Sequence, residues 1–161
     1  MAPRLPLPLL DRFRRDDRGA AMLEAVVALP VVAALGFGVL EFGNVLYGYH
    51  LIQTGVRDAA RYLARSDDGC TDATKQDYAR NIVLYGKITA TGNKRVSWLN
   101  SADVTFPACA TPVAAGTLRG GTVRTLTVQA APTYTNVGFF SFLGLGTLTF
   151  NISHTERAIG E

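Results

Sequence analysis

The chain has 161 residues, 48% of them apolar and 18% charged, with 16 Lys and Arg against 13 Asp and Glu. That composition excludes a disordered polar chain, and it is less apolar than a protein of several membrane spans. The pI near 9.1 invites a nucleic-acid reading, but residues 66–161 carry neither a basic run nor basic residues interleaved with aromatics, so that class is excluded as well.

Residues 1–18, MAPRLPLPLLDRFRRDDR, contain Pro3, Pro6 and Pro8 and then a dense run of charge. The prolines oppose helix. Through Gly19 the segment holds five arginines and three aspartates, and arginines before an apolar run keep a segment on the cytoplasmic side. The expectation is an unstructured, removable leader covering residues 1–19.

The next segment, residues 20–65, reads as one long helix. Between Ala20 and Val56 only Glu24 and Glu41 are charged. Ala20 to Leu40 is 21 residues, about 31 Å of helix, which matches a hydrocarbon core of about 30 Å. The first half is therefore expected to span a lipid bilayer, and the second to be amphipathic. Apolar or small residues recur at alternating steps of three and four: Ala28, Val31, Leu35, Gly38, Phe42, Val45, Tyr49, Ile52, Val56, Ala59 and Leu63. This is a seam of coiled-coil period, suited to packing under a head or against other helices. Arg57, Arg61 and Arg65 form a stripe off the seam, read as a solvated face paired locally with Asp58. Pro30 lies inside the span, where membrane helices tolerate it, and glycines there let helices approach closely.

Glu24 is the only charge within the span. An ionised acid at mid-bilayer costs about 2.5–3.5 kcal/mol on insertion scales, so it calls for a reason. One reading is a carboxylate near the interface. The other starts from cleavage after Gly19, which would give Ala20 a free ammonium one turn away. Glu24 would then favour the positive end of its own helix, or pair with the amine of a neighbouring subunit.

A charged leader ending in glycine, a small residue, and an apolar helix with glutamate in fifth place together resemble the type IV prepilin processing site. More narrowly, the segment resembles the TadE-like minor pilins of the tight-adherence (Tad, Flp pilus) system. The residues that carry the resemblance are Arg18–Gly19–Ala20–Ala21, Glu24, Leu29–Pro30, Gly38, Glu41–Phe42–Gly43, Arg57 and Ala59–Ala60–Arg61–Tyr62. They cover about 46 residues.

The resemblance implies a type IV pilin-like α+β fold and a minor pilin, or pseudopilin, in the bacterial inner membrane. It would be single-pass, with a cytoplasmic N-terminus and an extracytoplasmic head. Its implied partners are a prepilin peptidase cutting at Gly19–Ala20, a companion minor pilin, the major Flp pilin and the inner-membrane Tad export platform. Whether such a chain enters the pilus, primes it or stays in the membrane is left open. The alternative is an uncleaved single-pass anchor carrying a binding head. A secreted domain with an ordinary signal peptide is disfavoured, because no A-x-A site follows the apolar run.

Residues 66–161 are expected to form a small α+β head. SDDGCTD, residues 66–72, is a turn cluster that stops the helix. Tyr78, Ile82 and Tyr85 lie at helical spacing, predicting a short helix over about 75–86 with Thr74 as candidate cap. Strand-like alternation follows in RVSWLN (Val96, Trp98), ADVTFP (Val104, Phe106), TVRTLTVQAAP (Leu126, Val128, Ala130) and TLTFNIS (Leu148, Phe150, Ile152), with TPVAAGTLRGG as a loop and the tail HTERAIGE as a sheet edge. GFFSFLGLG, residues 138–146, reads equally as an exposed partner or membrane patch and as a loop folded over the core. Cys70 and Cys109 either form a disulfide closing a loop of about 40 residues, a contribution of about 3–4 kcal/mol, or remain buried thiols. They lack the spacing of a zinc site. No nucleophile elbow, HExxH, phosphate loop or dinucleotide fingerprint is present, and His50 and His154 stand alone, so the sequence suggests no enzyme, metal or cofactor.

Overall fold

The computed structural model describes residues 17–67, 69, 71–107, 111–114, 122–134 and 139–159. Cys70, Cys109 and the leader's first sixteen residues lie outside them. The described elements run in the order α1 (Asp17–Ala64), α2 (Ala73–Tyr85), β1 (Val104–Thr105), β2 (Thr111–Ala114), β3 (Thr122–Ala130), β4 (Thr133–Tyr134), α3 (Phe139–Phe142), β5 (Leu148–Thr149) and β6 (Ile152–Arg157), an α+β chain. It divides into two compact units, residues 1–40 and 41–161.

The described part of the first unit is helix throughout, and no side chain from Gly19 to Leu40 is buried. Pro30 sits within the helix. The second unit takes in the rest of α1 and the head, and its core forms on one face of that helix. Val45, Ile52, Val56, Ala59, Ala60, Leu63 and Ala64 are buried with Ala79, Val83 and Leu84 of α2, Val96, Trp98 and Leu99 of the following loop, and Leu126, Val128, Ala130, Tyr134, Phe140 and Ile152 of the strands and hairpin tip. Among the described residues, the core of the head is thus continuous with one face of the helix.

Two glycines of α1 allow this close packing. A Cβ on Gly48 would lie 2.6 Å from Trp98 Cζ2, and one on Gly55 3.0 Å from the backbone of Val83. At Gly48 the helix receives an aromatic cluster. The Trp98 ring meets Tyr134 edge-on at 5.3 Å between centroids and lies 5.9 Å from Phe150, which in turn is 5.8 Å from Tyr49. Such pairs add to the stabilisation from burial alone.

α2 is capped by Asp72 rather than Thr74. Asp72 holds the extended cap conformation and accepts the Thr74 backbone N–H at 2.8 Å. Thr74 is thus the donor, and that bond holds the Asp72 carboxyl below the usual aspartate range. Gly86 ends the helix in the left-handed region, φ 76°, donating its N–H to Ile82 O. Residues 95–100, expected as a strand, form turns instead: Val96 and Trp98 are both buried, but the segment joins no ladder. Asp58 faces Arg95 at 3.9 Å, not an arginine of its own helix, and Arg61 lies 3.7 Å from Glu156.

β3 is the central strand of an antiparallel sheet. β6 lies along one edge, and β1 and β2 share the other. β2 falls in a stretch read as a loop; its Pro112 is tolerated because, among the described strands, β2 pairs with β3 alone. TLTFNIS, read as one strand, is split between β5 and β6. Their partners show why. β3–β6 pairing ends at Ala130↔Ile152, and β4–β5 pairing resumes at Thr133↔Thr149 in the same register. The two ladders are one hairpin interrupted at Pro132, which has no N–H to donate; its carbonyl still accepts from Phe150 N–H at 3.0 Å. The C-terminal strand then closes on the helix end, with Ile159 N–H donating to Ala64 O at 2.8 Å.

Candidate helix interface

The residues singled out for processing and packing all lie on α1, and each unit places its own share. In the first, Gly19, Ala20 and Glu24 occupy the first turns of the helix and are exposed. Among the described residues none pairs with the Glu24 carboxylate. Ala28, Val31 and Leu35 are exposed and Gly38 is half-buried. Exposure is not confined to one side: Met22, Leu23, Val26, Val27, Leu29, Val32, Phe37, Val39 and Leu40 are open as well. An apolar surface surrounding five turns of helix exceeds what soluble monomers display, so it requires lipid or other helices as its surroundings.

In the second unit, Val45, Ile52 and Val56 are buried, Tyr49 is half-buried against the core, and Phe42 is exposed. The seam thus lies under the head from Val45 onward. One turn earlier the inward position is held by Glu41, not by Phe42. Glu41 is only 4% exposed, and its Oε2 accepts the backbone N–H of Phe140 at 2.9 Å. Asn44, on the next turn, donates from Nδ2 to Tyr134 Oη at 3.4 Å. Glu41, Gly48 and Gly55 recur every seven residues, near two full turns, so one face of the helix carries acid, aromatic contact and helix contact in sequence. Sequence reading had placed Glu41 in a family triplet without seeing that it holds the hairpin tip. The seam put Phe42, not Glu41, inward, and the donor that fixes Glu41 is a backbone N–H 99 residues away in sequence.

Two other glycines of α1, Gly36 and Gly43, would meet nothing within 4 Å if given a Cβ. Among the described residues their small size serves no contact. Among the described residues no group of three His, Cys, Asp or Glu gathers as metal ligands would.

These features define a membrane-anchored class of protein: one long apolar N-terminal helix whose second half is built into a small α+β head. Residues 19–61, which make up most of α1, match the family described as TadE-like protein, so this helix is similar to that family. The match ends inside α1, so the head's strands and hairpin lie beyond it. No characterised protein and no solved structure matched the chain.

Proposed function

We propose that this chain is a minor pilin, or pseudopilin, in assembly of a Tad-type (Flp) pilus, and that it acts as the substrate of an enzyme rather than as an enzyme. The observation that carries this reading is the coincidence of the TadE-like match at residues 19–61 with a helix whose apolar first half is open on every side. The chain is held in the bacterial inner membrane with residues 1–19 in the cytoplasm and the head outside. A prepilin peptidase cuts after Gly19, and the new Ala20 ammonium lies one turn from Glu24. The mature helix packs against a companion minor pilin and the major Flp pilin, handed on by the export platform. Glu24, which no described residue pairs with, meets an ammonium of a neighbour in a dry bundle, where opposite charges attract far more strongly than in water.

Intact mass and N-terminal sequencing of the membrane-extracted protein from its native host test the processing step. A chain beginning at Ala20 is the expected result. A chain that retains residues 1–19 overturns processing and leaves an uncleaved anchor with a binding head.

A further inference from the structure

The hairpin tip offers a second membrane contact. Between Arg124 and Glu156 the chain has no Asp, Glu, Lys or Arg. At the tip, α3 turns Phe140 into the core and leaves Phe142 82%, Leu143 53% and Leu145 52% exposed. This is a built surface. Leu145 N–H donates to Phe140 O at 2.8 Å and Gly144 N–H to Ser141 O at 3.0 Å, with Gly144 at φ 70°. Those two bonds and the left-handed glycine make a Schellman closure, which fixes the backbone that presents the three apolar side chains.

The height of this surface follows from Glu41. Its carboxylate takes the Phe140 N–H, so the tip lies at the level of residue 41 on α1. Glu41 directly follows the 21-residue apolar stretch Ala20–Leu40, whose length matches a hydrocarbon core. Phe42 and Tyr47, exposed on α1 just beyond, are aromatic residues of the kind enriched where helices leave the bilayer. Glu41, itself buried, thus satisfies a tip N–H without joining the exposed patch.

We propose that Phe142, Leu143 and Leu145 insert into the interfacial layer of the bilayer from which α1 emerges, so that the head rests on the membrane through its hairpin tip. The inference rests on the reading that Ala20–Leu40 spans a membrane. A lipid surface is the occupant the observations favour: the patch is apolar, lacks charge and lies at the level where the span ends. Detachment from lipid would then have to free the tip as well as the helix.

The test uses the full chain reconstituted in phosphatidylcholine–phosphatidylglycerol vesicles. Phe142→Trp and, separately, Leu145→Trp place a reporter at the tip; the native Trp98 is buried and supplies a constant background. Ile159→Trp is the comparison: it is equally apolar and exposed, but tied to Ala64, about 35 Å further along the helix from Glu41. Alkaline carbonate extraction first establishes insertion; release of the chain from the vesicles would overturn the spanning reading and this inference with it. For inserted protein, tip reporters should emit to the blue, lose emission to lipids brominated near the headgroup and resist aqueous iodide, while Trp at 159 behaves oppositely. Tip emission quenched by iodide and untouched by bromine would sink the inference and leave the span intact. Emission shielded from both, and changing with the protein-to-lipid ratio, would also overturn it, naming a second copy of the chain as the occupant.

Discussion

At the level of single residues, the two glutamates of α1 show how position decides what a carboxylate does. Glu41 is buried and hydrogen-bonded to Phe140 within its own chain. Glu24 is exposed among apolar residues, and no described residue pairs with it. An acid there disfavours insertion and no described residue compensates it, which points to a partner as the source of its benefit. Glu24→Val should insert into membranes as well as or better than the native chain, and should still be cut after Gly19. It should lose pilus assembly, counted as surface fibres or sheared pilin. Normal piliation in this variant would refute pairing between Glu24 and a neighbour's ammonium.

The elements separate what pattern can reveal from what it cannot. α1 was legible because its two properties are both local: apolar length gives the span, and three–four spacing gives the face that the head covers from Val45 to Leu63. α2 was legible by the same spacing, displaced by two residues at its start because Asp72 outcompetes Thr74 as cap. β3 was legible by alternation. The misreadings fell where a non-local partner decides the backbone. Val96 and Trp98 alternate because both are needed in the core, one against the aromatic cluster at Gly48, and burial alone does not require a ladder. Thr111–Ala114 becomes a strand only because β3 offers a free edge. TLTFNIS is broken by Pro132, which faces it across the hairpin. Glycines divide in the same manner, since nothing in the sequence says that Gly48 meets a ring of the head while Gly43 meets no described residue. Gly48→Ala forces a methyl against Trp98 Cζ2, in a ring already fixed by Tyr134 and Phe150. Overpacking of this kind costs about 1–3 kcal/mol, which outweighs the gain of about 1 kcal/mol from better helix propensity. Gly43→Ala meets nothing, so the propensity gain stands. Denaturant unfolding of the head should therefore move in opposite directions for the two variants. Equal effects would mean that the Trp98 ring yields freely.

At the scale of the whole molecule, the division at Leu40–Glu41 has a consequence for how the chain can be cut. Seven of the core's buried residues, Val45 through Ala64, belong to α1, as does the carboxylate that holds the hairpin tip. Burying a side chain the size of Val, Leu or Ile contributes about 1.5–3 kcal/mol, and whole-domain stability is only about 5–15 kcal/mol. Removing α1 to residue 65 should therefore unfold the remainder: residues 66–161 alone would expose Val83, Trp98 and Val128 together. Residues 41–161 retain the whole core and shed the surface that needs lipid. That shorter chain should be soluble without detergent, show one cooperative unfolding transition, and keep the near-ultraviolet signal of a Trp98 ring packed against Tyr134. A cooperative, folded 66–161 would show instead that the helix is merely docked on a head able to stand without it. The anchor and the fold would then be separate devices, rather than one helix performing both.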